Sequence, residues 1–354
     1  MSRANLRPAL AALCAAATLG AAACGPAAVI GDDPFAGRIE DARGTRPLPP
    51  GSRYEEAGDR EPLQRGMPVA YTTPPPDAGT AEKRVPDIVH RGRIIIGVEQ
   101  SLNLLSYREA ATGELSGFEV DLAREIARGI FGDPDAVDLR LIEPSGPVNA
   151  LDDGSVDAVL HATSVTPARL GRADFSAPYL TARTGMLSIS GSGIDSFDDL
   201  AGRRVCVTAL SPLEELMRAQ SPDSTLLLAN AWGDCLVALQ QYQAEAIVSD
   251  DTILAGIAAQ EPGARITPLG NRGDEYAIGV RRGDIGLARQ INATLERIRS
   301  DGTWQQLFDK WFGGYLPPRP MPTPTYAEPE LPGAADAPSP APGEQPADDE
   351  EAGR

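Results

Sequence analysis

The chain has only two histidines, His90 and His161, and two lysines, Lys83 and Lys310. Two histidines far apart in sequence are too few for a metal cage or a histidine-based triad. No serine or cysteine stands in a nucleophile-elbow motif either. The scarcity of lysine, with arginine carrying nearly all positive charge, reads as the imprint of a GC-rich genome rather than of a function. Positive charge is itself short. The formal net charge of −18 excludes a nucleic-acid partner, because phosphates demand a basic face. The apolar run Ala9–Ala23 falls short of the roughly 20 residues that a spanning helix needs. No short-period repeat is visible, and there is no room for an extra catalytic domain.

What is present begins with an export signal. Arg3 and Arg7 precede that apolar run, and Cys24-Gly25 follows it. Small residues before a cysteine and a glycine after it resemble the lipobox of bacterial lipoproteins. That resemblance implies cleavage before Cys24 and a diacylglycerol on its thiol. At roughly 0.8 kcal/mol per buried CH₂, two acyl chains hold a soluble domain on a membrane. Of the four cysteines, Cys14 then leaves with the signal and Cys24 takes lipid. Cys206 and Cys235 remain, and outside the cytoplasm they can oxidise. A bridge between them would contribute about 3 to 4 kcal/mol in the chain-entropy model; two buried free thiols are the other reading.

Composition divides the rest. Residues 1–24 are expected to be the signal peptide and 25–84, rich in Pro and Gly without periodicity, a tether. Residues 316–354, dominated by Pro, Ala, Glu and Asp, read as a disordered tail. The globular part is Val85 to Tyr315. In it short β runs such as Arg93 to Val98 and Val137 to Ile142 alternate with helical patterns such as Gly117 to Phe131, an α/β order.

One stretch organises this part: Gly154 to Tyr179, GSVDAVLHATSVTPARLGRADFSAPY. It opens as a strand on Val156, Ala158 and Leu160, and Thr166-Pro167 then reads as a capped helix start. Arg169 falls in that first turn, where the macrodipole already places positive charge. An anion from elsewhere is expected there. Two further helix starts follow strands, at Thr208 to Pro212 and Ser249 to Asp251. Ligands of α/β sheets lie outside the carboxyl ends of strands, against helix N-termini. Arg169 and Asp250 together suit a zwitterion: the arginine for an α-carboxylate, the aspartate for an α-ammonium. Ser164, Thr208 and Ser211 can add hydroxyls. Singly, Thr166, Ser211 and Asp250 are also ordinary caps, and Arg169 an ordinary surface charge.

In order and spacing these segments resemble the family 3 extracellular solute-binding proteins, the polar amino acid receptors of bacterial ABC transporters. The resemblance covers nearly all of Val85 to Gly314. It rests on GELSGFEVDLAREIA, GSVDAVLHATSVTPAR with ADFSAPY, IDSFDDLAGRRVCV, EAIVSDDTILAG and DGTWQQLFDKWFG. Within the family, the lipobox and the pair Cys206 and Cys235 look like the actinobacterial glutamine- and glutamate-binding lipoproteins, where the two cysteines form an inter-element disulfide.

The family implies a type II periplasmic-binding fold, two α/β lobes joined by a two-strand hinge. Here lobe 1 would be 85–185 with 281–315, and lobe 2 would be 186–280 with the hinge strands. The crossings would lie near Thr184 to Ser190 and Glu275 to Val280. Arg169 matches the α-carboxylate arginine and Asp250 the α-amine aspartate; Ala162 and Ser164 stand among first-lobe contacts, Thr208 and Ser211 among second-lobe ones. At the side-chain end, Leu102 and Pro144 replace aromatics that often sandwich the ligand. The arginines of acidic-ligand members, expected near Glu99 and Pro147, are missing. Glu99 instead matches an acidic position used for glutamine or basic ligands.

The expected function is a lipid-anchored, monomeric extracytoplasmic receptor for a polar L-amino acid, without metal or cofactor, serving an ABC permease. A carboxylate at Glu99 favours glutamine or asparagine over glutamate or aspartate, unless Arg183 or Arg108 reaches the pocket. A sensor reporting through a transmembrane partner would keep the same ligand. An exported dehydratase on this fold, with Glu99 as general acid, is the remote alternative to a non-enzyme.

Overall fold

The structure is a computed structural model that describes residues 46–58, 68–142 and 146–328. The chain divides into two units, Met1–Pro47 and Leu48–Arg354, and the fold is that of the second. Cys24, Pro144 and the acidic tail after residue 328 lie outside the described residues.

A nine-stranded mixed sheet runs through the unit. Its order is Arg53–Glu55, Thr225–Ala229, Arg204–Thr208, Ala246–Asp250, Ala173–Ile189, Ala264–Arg281, Ala158–Leu160, Ile94–Val98 and Val137–Leu141. The two central strands are the long ones. Near Ala264 to Pro268 they pair with each other beside Ala246–Asp250; near Gly279 and Val280 the second pairs with Ala158–Leu160. Each therefore serves two α/β lobes. Between Pro268 and Gly273 their register shifts, which marks the passage from one lobe to the other. The passage lies earlier in the first long strand than Thr184 to Ser190, because Thr184 already pairs with Asp250 in the second lobe.

The helices follow from apolar spacing. Phe118–Phe131 buries Phe118, Leu122, Ile126 and Ile130 on one face. Ile285–Ser300 and Thr303–Phe312 return to the first lobe, where Trp304 Nε1 donates to the Tyr179 carbonyl at 2.7 Å. Phe118 meets Trp304 edge-on and Phe312 at a tilt, and Phe308 stacks on Trp304, in the core. The second lobe has its own cluster of Met186, Val205, Val207, Leu226 and Val248. Cys206 and Cys235 are joined by a disulfide with Cα atoms 5.5 Å apart, pinning strand Arg204–Thr208 to helix Trp232–Gln240.

Two expectations are corrected. Where a Pro/Gly-rich tether was expected, residues 48–58 and 68–84 are built into the fold. Arg53–Glu55 adds an antiparallel strand to the edge of the second lobe, with Tyr54 Oη donating to the Gln243 carbonyl at 2.8 Å. Thr73 Oγ1 donates to the Phe175 carbonyl at 2.7 Å, and Asn292 holds Thr73 and Pro74. A disordered tail from residue 316 is corrected as well, since Leu316, Arg319 and Met321 are buried. Thr73 exchanges backbone hydrogen bonds with Thr325 and Ala327 at 3.2 and 3.0 Å. Composition misled here because short segments need few apolar anchors once a preformed surface supplies partners for their backbone.

Candidate functional site

The loop that follows strand Ala158–Leu160 is shaped by backbone bonds from both sides. Ala162 takes the left-handed conformation at φ 45°, and its N–H donates to Glu119 Oε1 at 2.7 Å. The Ala277 N–H donates to the Thr163 carbonyl at 3.1 Å, and Ser164 forms a β-bridge with Tyr276. The short helix Pro167–Leu170 then starts on Thr166, whose hydroxyl accepts from the Arg169 N–H at 3.4 Å. Arg169 is half-buried and its Nη1 donates to the Ser164 carbonyl at 2.6 Å. Burial lowers its pKa, opposed by Tyr276. Among the described residues no carboxylate pairs with it. A desolvated guanidinium without a counter-charge is poised for a carboxylate.

Asp250 ends strand Ala246–Asp250 and caps helix Asp251–Ala258. It is buried, and Oδ2 accepts from the Tyr276 hydroxyl while Oδ1 has no partner. Burial pushes its pKa up to about 7, countered by the Tyr276 hydrogen bond and reinforced by Asp274 and Asp251. A buried acceptor without a donor costs free energy until one arrives. Tyr276 thus links the two halves: its backbone bridges to Ser164, and its hydroxyl reaches Asp250.

Glu99 is buried and its Oε1 accepts from Ser101 N–H at 3.3 Å and from the Ser101 hydroxyl. Glu119, fully buried beside it, accepts from Ala162 and from the Tyr179 hydroxyl. Burial raises the Glu119 pKa to about 7, with Tyr179 and Ala162 lowering it and Glu99 raising it. Leu102 is buried against helices of the second lobe. With Asn103, Trp232, Leu236 and Ile253 it encloses a cavity of ≈ 30 Å³, and Asn103 Nδ2 donates to the Gly256 carbonyl at 3.2 Å. Gly256 is required there, because a Cβ would come within 2.1 Å of the Asn103 carbonyl oxygen. The first-lobe loop thereby rests directly on the second lobe.

Thr208 ends strand Arg204–Thr208, and Ser211 stands at the start of helix Pro212–Gln220. The Ser211 hydroxyl donates to the Thr208 carbonyl at 2.8 Å and caps helix Pro212–Gln220 by accepting from the Glu214 N–H at 3.3 Å. No hydrogen bond joins them to Arg169 or Asp250. Arg183 and Arg108 are exposed, the latter holding Gln100 at 3.1 Å. Pro147 opens helix Pro147–Asp152.

Tyr276 and Glu119 escaped the sequence reading, which weighed His161 only as a metal or triad residue. His161 Nε2 is buried without a partner, and burial lowers the ring's pKa to about 4, so the imidazole is neutral. Arg169 adds to that lowering; hydrogen bonds with backbone at His161 and Ile142 oppose it. An acid on the buried face of a helical pattern was the available signal for Glu119. Tyr276 gave none, since it reads as one more strand residue.

The model of the bacterial extracellular solute-binding proteins, family 3, matches residues 94–314. The chain is 29% identical over 220 residues to the ABC transporter glutamine-binding protein of Bacillus subtilis (strain 168), covering 62% of this chain and 81% of that one. It is 30% identical over 208 residues to a glutamine-binding protein of Geobacillus stearothermophilus, covering 58% and 79%. Among solved structures, an ancestral arginine-binding protein bound to glutamine superposes with a TM-score of 0.58 at 29% identity, covering 63% of this chain and 99% of that one. The two lobes and their paired crossing strands are accordingly a type II periplasmic-binding fold.

Proposed function

The chain belongs to the bacterial extracellular solute-binding proteins of family 3, and from that premise we propose that it is an extracytoplasmic receptor for a polar L-amino acid. Its Bacillus subtilis relative is a glutamine-binding protein of an ABC transporter, so the partner is a permease of that class. Anchorage is through lipid on Cys24, with the disulfide-bonded unit displayed outside the cell membrane.

One observation carries the reading. Arg169 is a half-buried cation without a carboxylate among the described residues, and Asp250 is a buried carboxyl with an unpartnered oxygen. They stand at helix starts in different lobes, linked through Ser164 and Tyr276. An α-carboxylate and an α-ammonium satisfy both at once. Ala162 and Ser164, on the loop before Arg169, are further candidates for the same ligand, as are Thr208 and Ser211 of the second lobe, whose side chains make no hydrogen bond to Arg169 or Asp250.

Glutamine or asparagine is favoured over glutamate or aspartate. Glu99 and Glu119 place two buried carboxyls on the first-lobe side, and neither Arg183 nor Arg108 is drawn in to balance them. A carboxylate side chain would be repelled there, whereas an amide N–H₂ can donate. A thermal-shift panel of the twenty amino acids tests this, with glutamine or asparagine expected to raise Tm most. A shift with glutamate and none with either amide would contradict the preference.

A further inference from the structure

We propose that Arg319 is a positioning residue for amino acid binding, holding Asp251 and with it the helix start whose cap, Asp250, receives the ligand's ammonium. The inference rests on the role given to Asp250 above. Arg319 lies beyond residues 94–314 that match the family, in the segment that follows the last helix. Yet its side chain is buried, with a relative exposure of 5%.

Its contacts meet at the junction of the lobes. Nη2 lies 2.7 Å from Asp251 Oδ2, and Nη1 lies 3.3 Å from Asp251 Oδ1. Nη1 also donates to the Thr181 carbonyl of the first long strand at 2.7 Å. The guanidinium sits 5.6 Å from the ring centroid of Phe308, on the closing helix of the first lobe. Asp251 Oδ1 in turn accepts the Arg183 N–H at 3.0 Å. One planar fork therefore grips a carboxylate, a carbonyl and an aromatic face from three elements, a geometry that lysine cannot reproduce. The segment bearing it is itself fastened: Leu316 and Met321 are buried, and Arg299 Nη1 donates to the Pro322 carbonyl at 2.7 Å.

Two consequences reach Asp250. The first is geometric, because Asp251 is its chain neighbour and the first residue of the helix it caps. The second is electrostatic. Asp250 faces Asp251 from its own helix and Asp274 and Tyr276 from the second long strand, and both aspartates make its ionisation harder. Arg319 neutralises Asp251. Without it a buried, unpaired carboxylate would stand beside the group that must be negative to hold an ammonium. Removing both partners leaves no such charge.

The test uses the full chain as wild type, Arg319→Met, and Arg319→Met with Asp251→Asn. Each is titrated calorimetrically with L-glutamine, or with the tightest binder of the twenty amino acids if that is another, between about pH 6 and pH 8, and Tm is recorded. Arg319→Met is expected to bind at least about tenfold more weakly, with its loss of affinity on acidification beginning at higher pH. The double variant is expected to recover to within a few-fold of wild type. Arg319→Met binding as tightly as wild type with only a lower Tm overturns the proposal, and so does a double variant as weak as the single one. Should Arg319→Met not fold, Arg319→Lys keeps the charge without the fork. It is expected to lose about threefold in affinity, and unchanged affinity there overturns the proposal. A wild type that binds no amino acid overturns the underlying reading instead, an outcome distinct from tight wild-type binding that Arg319 leaves untouched.

Discussion

At the scale of residues, Asp250 sets how binding should respond to pH. In the ligand-free protein its pKa is raised from 3.8 to about 7, mainly by burial; an ammonium on its free oxygen favours the ionised form and lowers that value. Above pH 7 the carboxylate is already charged and binding moves no proton. Below it, binding must expel one, so affinity should fall by about tenfold per pH unit until the bound-state pKa is reached. Titration in buffers of different ionisation enthalpy measures the released proton. The same shift acts on stability with opposite sense. Asp250 and Glu119 have folded-state pKa values above their ordinary ones. Their contribution is complete at acidic pH and is lost as pH rises towards about 7, so the ligand-free Tm should decline over that interval. For Arg169→Ala, loss of the carboxylate grip should cost about 2 to 5 kcal/mol of binding, while far-ultraviolet circular dichroism stays that of wild type. That Arg169 and Asp250 stand at helix starts was legible in the sequence, because helix starts carry local signatures. The contacts of Tyr276 and Glu119 were not, because they join segments distant in the chain.

At the scale of elements, the Cys206–Cys235 bridge spans a sequence separation of 29. In the chain-entropy model such a loop closure contributes about 3 to 4 kcal/mol. Replacing both cysteines with alanine should lower the denaturant midpoint accordingly. Ligand affinity should change little, since the strand and helix that the bridge joins carry neither Arg169 nor Asp250. The amino-terminal strand Arg53–Glu55 covers the edge strand Thr225–Ala229, whose Leu226, Leu227 and Leu228 are fully buried. Deleting residues 46–58 would expose that edge, and the expected results are a lower Tm and concentration-dependent association in light scattering. The long helix Phe118–Phe131 could be read from its helical pattern within a residue of its ends. The three-residue strand Arg53–Glu55 could not, because so short a segment in Pro-rich sequence has no periodicity and owes its pairing to a sheet edge formed elsewhere.

At the scale of the whole unit, two long strands serve both lobes, and Arg169 and Asp250, the groups proposed to hold the ligand, stand at helix starts in different lobes. An amino acid bridging Arg169 and Asp250 would draw together the loop after Ala158–Leu160 and the start of helix Asp251–Ala258, linking occupancy to lobe closure. The chain's own extensions add to this junction: residues 68–75 and 316–328 pair with one another against the first long strand. The most direct measurement of the central claim is a crystal structure of the protein with the amino acid that raises Tm most. The account predicts the α-carboxylate paired with the Arg169 guanidinium and the α-ammonium on Asp250 Oδ1. A ligand bound away from these two residues, or with its ends reversed between them, would contradict it.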